Sequence, residues 1–286
     1  MVKPKRIYII ADGAKDLEDT KKVSDVRSIV DNISWACDVR RNFSENNLGC
    51  RKRMSSGLDW VFDQEDEAII LEDDCHPSLD FFNYCQTLLD FHRTDNEVGA
   101  ICGSNFQQNR KRGGKHGYYF SRFPAVWGWA TWKRAWKGYD VDMKDWLQWE
   151  GNGGLIRMLP DEWSRKHWKQ FLGKTSRGNI DTWDFQFVFH CWKNGMLSAI
   201  SDVNLVSNHG FRDDATHTKH NSKWANMATD QLCSLIKQEN FIPHNGADAY
   251  TMDYHFGRAK KIPVPNNPWH MLMDRITNGS NRWKNI

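Results

Sequence analysis

The chain has 286 residues, 39 basic against 36 acidic, and a formal net charge of +3. That near-balance supplies no general cationic field for gripping nucleic acid or a membrane, so any anionic ligand has to be held locally. The longest aliphatic runs are far short of the ~20 residues that span a bilayer, and the N-terminus lacks the apolar stretch of a signal peptide, so a soluble cytoplasmic protein is expected.

In chain order, Ile7 to Ala11 is a short apolar run closed by Asp12-Gly13, which predicts a buried parallel strand ending in a ligand-facing turn. Val23, Val26, Val30 and Ile33 recur at helical spacing and give one apolar face. Trp35 to Arg40 suits a second strand. Asn46 to Gly49 is a turn, and Arg51 to Phe62 reads as a helix with Met54, Leu58 and Val61 inward. Ala68 to Leu71 is a core strand that runs directly into Glu72, Asp73 and Asp74. Ser78 then caps a helix that buries Leu79, Phe82 and Leu88. Val98 to Cys102 is the next strand, and the polar, basic stretch from Asn105 to His116 reads as a mobile loop.

Fifteen tryptophans are present, ten of them between Trp127 and Trp192. Trp129, Trp132 and Trp136 share one helical stripe, which fits a core helix as well as a binding face, while Trp127 and Trp129 flank a glycine and suit sugar-stacking platforms. Asp181 and Asp184 precede a helix over Phe185 to Trp192 closed by Gly195, where carboxylates also complement a helix dipole. Met196 to Ile200 is a last strand. Beyond Phe211 the chain turns polar, with Pro263, Pro265 and Pro268 in a basic tail. Seven cysteines without a CxxC pair suggest reduced core residues.

The alternation of strand and helix predicts an open, mainly parallel sheet with helices on both faces, whose ligand lies beyond the carboxyl ends of its strands. Asp12 and Glu72 to Asp74 both fall there. Two carboxylates about 4 Å apart repel by roughly 4 kcal/mol at an effective dielectric near 20, so such a run favours a hard cation or a raised pKa. A solvated acidic turn is the plainer reading, and the position at a strand end argues against it. A divalent cation held there would neutralise a departing nucleotide diphosphate, and a separate carboxylate, Asp184 or Asp181, would take the proton from an acceptor hydroxyl.

Glu72-Asp73-Asp74 at a strand end resembles the DXD-type element of GT-A glycosyltransferases, in the EDD form of the N-acetylglucosaminyltransferase I type. Asn47-x-Gly49 entering a helix resembles the family 2 nucleotide-sugar transferases. Taken with Trp127 to Trp132, Trp183-Asp184-x-Gln186 and Asp214 to Thr218, the pattern over residues 6 to 220 is similar to the bacterial hemolytic-protein-like glycosyltransferases. The resemblance implies a GT-A-like, Rossmann-like domain over 1–218, with a nucleotide and metal half at 1–104 and an acceptor and catalytic half at 105–218. It also implies that the usual first strand and helix are lacking, and that 219–286 forms a basic C-terminal lid or appendage.

The same resemblance implies a role for each position. Asp12 and Gly13 lie near the base or ribose, Glu72 and Asp73 near the ribose and metal-bound waters, and Asp74 is the direct ligand of Mn²⁺ or Mg²⁺. Asp184 is the base of an inverting enzyme, with Asp181 as substitute. His217 is a further metal contact, Arg53 touches the nucleotide, and Trp127 and Trp129 stack on sugar. The donor is then a UDP-sugar. The acceptor is a glycan or lipid-linked saccharide used in surface polysaccharide synthesis, with the enzyme peripheral at the inner face of the membrane and no nucleic acid involved. Two other readings of the residues stay open: a metal-dependent phosphoesterase or nuclease on the same acidic edge, and a sugar-binding module without catalysis.

Overall fold

The structure, a computed structural model, describes residues 2–211, 222–232 and 234–260. Its N-terminal part runs β1 (Arg6–Ala11), α1 (Asp19–Ile29), β2 (Asp38–Phe43), α2 (Gly49–Phe62), β3 (Glu67–Ile70), β4 (Cys75–Pro77), α3 (Leu79–Phe91) and β5 (Val98–Cys102). There follow β6 (Tyr118–Ser121), β7 (Trp129–Trp132), α4 (Lys133–Trp136), α5 (Trp146–Gly151), α6 (Gly154–Met158) and α7 (Glu162–Ser176). The described chain finishes with α8 (Asp184–Lys193), β8 (Leu197–Ser201), β9 (Val206–Asn208) and α9 (Asn245–Tyr254). None of its helices is long and apolar enough to cross a membrane.

The protein is α/β, built on a mixed five-stranded sheet in the order β3-β7-β5-β8-β6. Only β5 and β8 pair in parallel; β3–β7, β7–β5 and β8–β6 are antiparallel. This corrects the expectation of a mainly parallel sheet, and the cause is local. β7, which inserts antiparallel between β3 and β5, comes from the tryptophan stretch that fits a helix, and β6, antiparallel at the edge beyond β8, comes from a stretch to which the sequence assigns no element. The strand directions still put the carboxyl ends of β3, β5 and β8 along one edge.

β7 explains the tryptophan spacing. Trp129 packs on Phe187 of α8, whereas Trp132 donates its indole N–H to the Leu89 carbonyl of α3, so successive aromatics cover opposite faces of one strand. Both faces are roofed by helices, so every residue of the strand is buried and the polar alternation that marks a half-exposed strand is missing. A second apolar cluster joins Trp146, Trp168, Leu172, Phe189 and Trp192 to Met252 of α9. The segment expected to be a lid or appendage from residue 219 is, in its described part, integral: Phe241 and Ala247 reach the main core, and His244 N donates to the Phe120 carbonyl at 2.7 Å.

β1 and β2 form a separate two-stranded parallel sheet, with no residue of either fully buried. Arg6 and Tyr8 bond Glu65 just ahead of β3, while Asp12 at the other end of β1 bonds the start of α2. β1 and β3 therefore run in the same direction alongside α2, without being paired to each other. α1 covers this unit loosely and buries none of its residues; Val26 and Ile29 are exposed. Leu79, expected inside α3, is exposed as well.

Candidate functional site

The acidic edge is assembled from three places in the sequence. After β3 the chain turns at Asp73 and Asp74, with Cys75 N donating to the Glu72 carbonyl at 3.0 Å, and re-enters as β4 against β9. His209 N donates to the Asp74 carbonyl at 2.8 Å, which carries Gly210 up against the Asp74 side chain. A Cβ at Gly210 would overlap that carboxylate and force the Asp74 side chain to move. The third contribution is the start of α8, which brings Trp183 and Asp184 to the same point.

Glu72 is the group in which this convergence is felt. Burial pushes its carboxyl up to about 8, and the neighbouring charges of Asp74, Asp184 and Asp73 push the same way; a hydrogen bond from the Trp183 side chain pulls against them. Trp183 is held by stacking on Trp129, with ring centroids 5.4 Å apart. Trp129 is fully buried, so it is no sugar platform; it backs the residue that bonds Glu72. Trp127 is half-buried and packs edge-on against Phe106 and Phe211.

Cys50 had no place in the sequence reading, yet it faces this cluster. Its thiol is pushed up to about 12, first by burial and then by Glu72, Asp184, Asp181 and Asp12. Such a thiol is an inert neutral group lining the site. The one sequence signal for it was its position just after Gly49, at the mouth of a helix that begins beside Asp12.

Asp12 and Asp181 are committed to the N-terminus of α2, whose first N–H groups lack intrahelical partners. The Asp12 carboxylate accepts from Leu48 N and Gly49 N, both at 2.9 Å, and from Gly13 N. Asp181 accepts from Arg51 N at 3.1 Å. Gly13 is buried against the Asn46 backbone. Asp184 accepts from the Thr182 hydroxyl and from Phe185 N with one oxygen, Oδ1. Arg53 is buried; its Nη2 bonds the Asn42 carbonyl and side chain, while its Nε finds no partner. Asp73 is exposed at the turn, and His217 lies outside the described residues.

No family model matches the chain, and no curated protein matches it. Among the described residues, no three His, Cys, Asp or Glu side chains converge in an arrangement that would hold a metal ion by themselves. The acidic edge supplies hard oxygen donors in ones and twos. That suits an ion of the magnesium type, which keeps most of its waters and is bound by one or two carboxylates together with substrate phosphates.

Proposed function

We propose that this chain is a metal-dependent glycosyltransferase of the GT-A kind, moving a sugar with inversion from a nucleotide diphosphate donor, of the UDP class, to a glycan hydroxyl. The observation that carries the reading is the meeting of Glu72, Asp74 and Asp184 at the carboxyl edge of the sheet, where burial first and the neighbouring carboxylates second push the Glu72 carboxyl up to about 8. Carboxylates crowded in this way at a cleft are more useful to a ligand than to the fold. Asp74 would hold Mn²⁺ or Mg²⁺, and the ion, when bound, would offset the charge that develops on the departing diphosphate. Among the described residues Asp184 Oδ2 is clear of the bonds that hold Oδ1, and it would accept the proton of the attacking hydroxyl. Asp181 and Asp12 are then positioning groups that fix the start of α2 against the site.

Binding of UDP in the presence and absence of Mn²⁺, followed by transfer assays with a panel of UDP-sugars, tests the reading. Asp74→Ala is expected to abolish metal-dependent UDP binding. Asp184→Asn is expected to keep binding and lower transfer by about 10²- to 10⁴-fold, the usual worth of a general base. Undiminished metal-dependent binding in the first variant, or wild-type turnover in the second, would remove that residue from its role. Cleavage of phosphodiesters without any sugar donor would replace the whole reading with a nuclease.

A further inference from the structure

We infer that the loop from Asn105 to Gly113, together with α9, forms a cationic subsite on the same sheet edge, and that it takes the phosphate-bearing part of the acceptor. The loop expected to be mobile is fixed from beneath. Gln107 is fully buried and bonds the Ala247 carbonyl and the Thr251 hydroxyl of α9, while Asp202, at the end of β8, accepts from Arg112 N and Gly113 N. At its tip Gln108 and Asn109 have φ of +50° and +64°, a region side-chain-bearing residues enter only when their surroundings hold them there. What this rigid turn presents is Arg110, Lys111 and Arg112 in succession.

None of these three forms an ion pair among the described residues, whereas Arg6, Arg40, Arg51, Arg93, Arg122 and Arg258 all do. The Arg110 guanidinium lies 4.5 Å from the Tyr250 ring centroid and gives Nη1 to the Tyr250 hydroxyl and the Gln107 carbonyl. Arg112 gives Nε to the Gln107 side chain. Among the described residues each keeps N–H donors of its fork unused, in the planar arrangement that suits a phosphate. Tyr254, exposed and 4.3 Å from Tyr250 between centroids, carries the Lys223 ammonium 5.1 Å from its ring centroid and so adds a further cation beside them.

The placement of the subsite follows from topology. Asp202 ends β8 and Glu72 follows β3, and β7 and β5 lie between the two strands. Three spacings of about 4.8 Å separate the strands by roughly 14 Å along one edge. A single sugar does not bridge that distance, but an oligosaccharide does. An acceptor with its reacting hydroxyl at Asp184 and a phosphate some residues back would meet acid at one end and unpaired cations at the other. The word acceptor rests on the glycosyltransferase reading; the anion site itself does not.

Titration of the full chain with inorganic tripolyphosphate in EDTA and low salt tests the site, because without a cation the acidic edge repels the probe. Binding is expected in the wild type, with affinity reduced about fivefold in Arg110→Gln and about threefold in Lys111→Gln, and unchanged in Asp74→Ala. Lys111 is exposed, so that variant keeps the fold whatever becomes of Arg110→Gln. A phosphorylated oligosaccharide should bind in the same way, and its dephosphorylated form should not. Absence of tripolyphosphate binding, or equal affinity in all variants, would overturn the proposal. Retention of phosphatidylglycerol vesicles through Arg110 and Lys111, without binding of the soluble anions, would overturn it in favour of a membrane surface. Loss of Mn²⁺-dependent UDP binding in the wild type would sink the transferase reading alone and leave the anion site standing.

Discussion

Glu72 titrates where few carboxyls do, and this gives the fold a pH dependence of known sign. Its carboxyl ionises near the ordinary 4.5 in the unfolded chain and at about 8 in the folded one. Within that window the folded protein keeps a proton that the unfolded chain has released, so this contribution to stability is complete at low pH and is lost as pH rises through 8. Glu72→Gln is expected to flatten the decline and to be more stable than the wild type above the window; urea midpoints measured at its two ends check this. Identical pH profiles for the two proteins would show that Glu72 is not held in its acid form. At this scale the sequence was readable where neighbours are adjacent, as in the run from Glu72 to Asp74. It was silent where partners are remote: Asp181 accepts from Arg51 N in the first turn of α2, 130 residues earlier, and no local pattern encodes that contact.

Elements whose ends carry a local signal were readable, even where they are buried on both faces. β5 falls on Val98–Cys102 as its apolar run predicts, and α8 ends before Gly195, which has φ +68°. The segment around Trp129 failed because burial on both faces erases the period of two, leaving a tryptophan spacing that imitates a helix. Its consequence is measurable. Trp129→Ala should cost about 3–5 kcal/mol of stability, as truncation of a large core aromatic does, and should disturb glycan binding only through unfolding. Urea denaturation beside a binding titration decides it: weakened binding at unchanged stability would return Trp129 to the role of a platform. β2 shows a different limit. It begins at Asp38, three residues beyond the expected start, because its residues are only half-buried and no sharp apolar boundary marks them.

On the scale of the whole molecule, the feature that composition could not reveal is that the sheet is in two pieces. The five-stranded part carries nearly all of the fully buried residues, while β1 and β2 hold to it through α2, the Glu65 contacts and the caps at Asp12. Regions with few buried apolar contacts open at lower free energy than the core does. The chain should therefore open in stages, with amides of β1 and β2 exchanging with solvent through a partial opening while those of β5 and β8 wait for global unfolding. A ligand bound at the acidic edge would bear on both pieces, since Asp12, which fixes the start of α2 beside that edge, belongs to one and Glu72 to the other. Native-state hydrogen exchange with and without UDP and Mn²⁺ should show protection rising in β1 and β2 and staying level in β5 and β8; a uniform rise would mean one cooperative unit. If the opening is staged and the proposed donor binds at this edge, part of its binding free energy would go into holding the two pieces together. On the proposed reading, donor affinity would then be set partly by residues such as Tyr8 and Glu65, which bond each other at the end of β1 opposite Asp12.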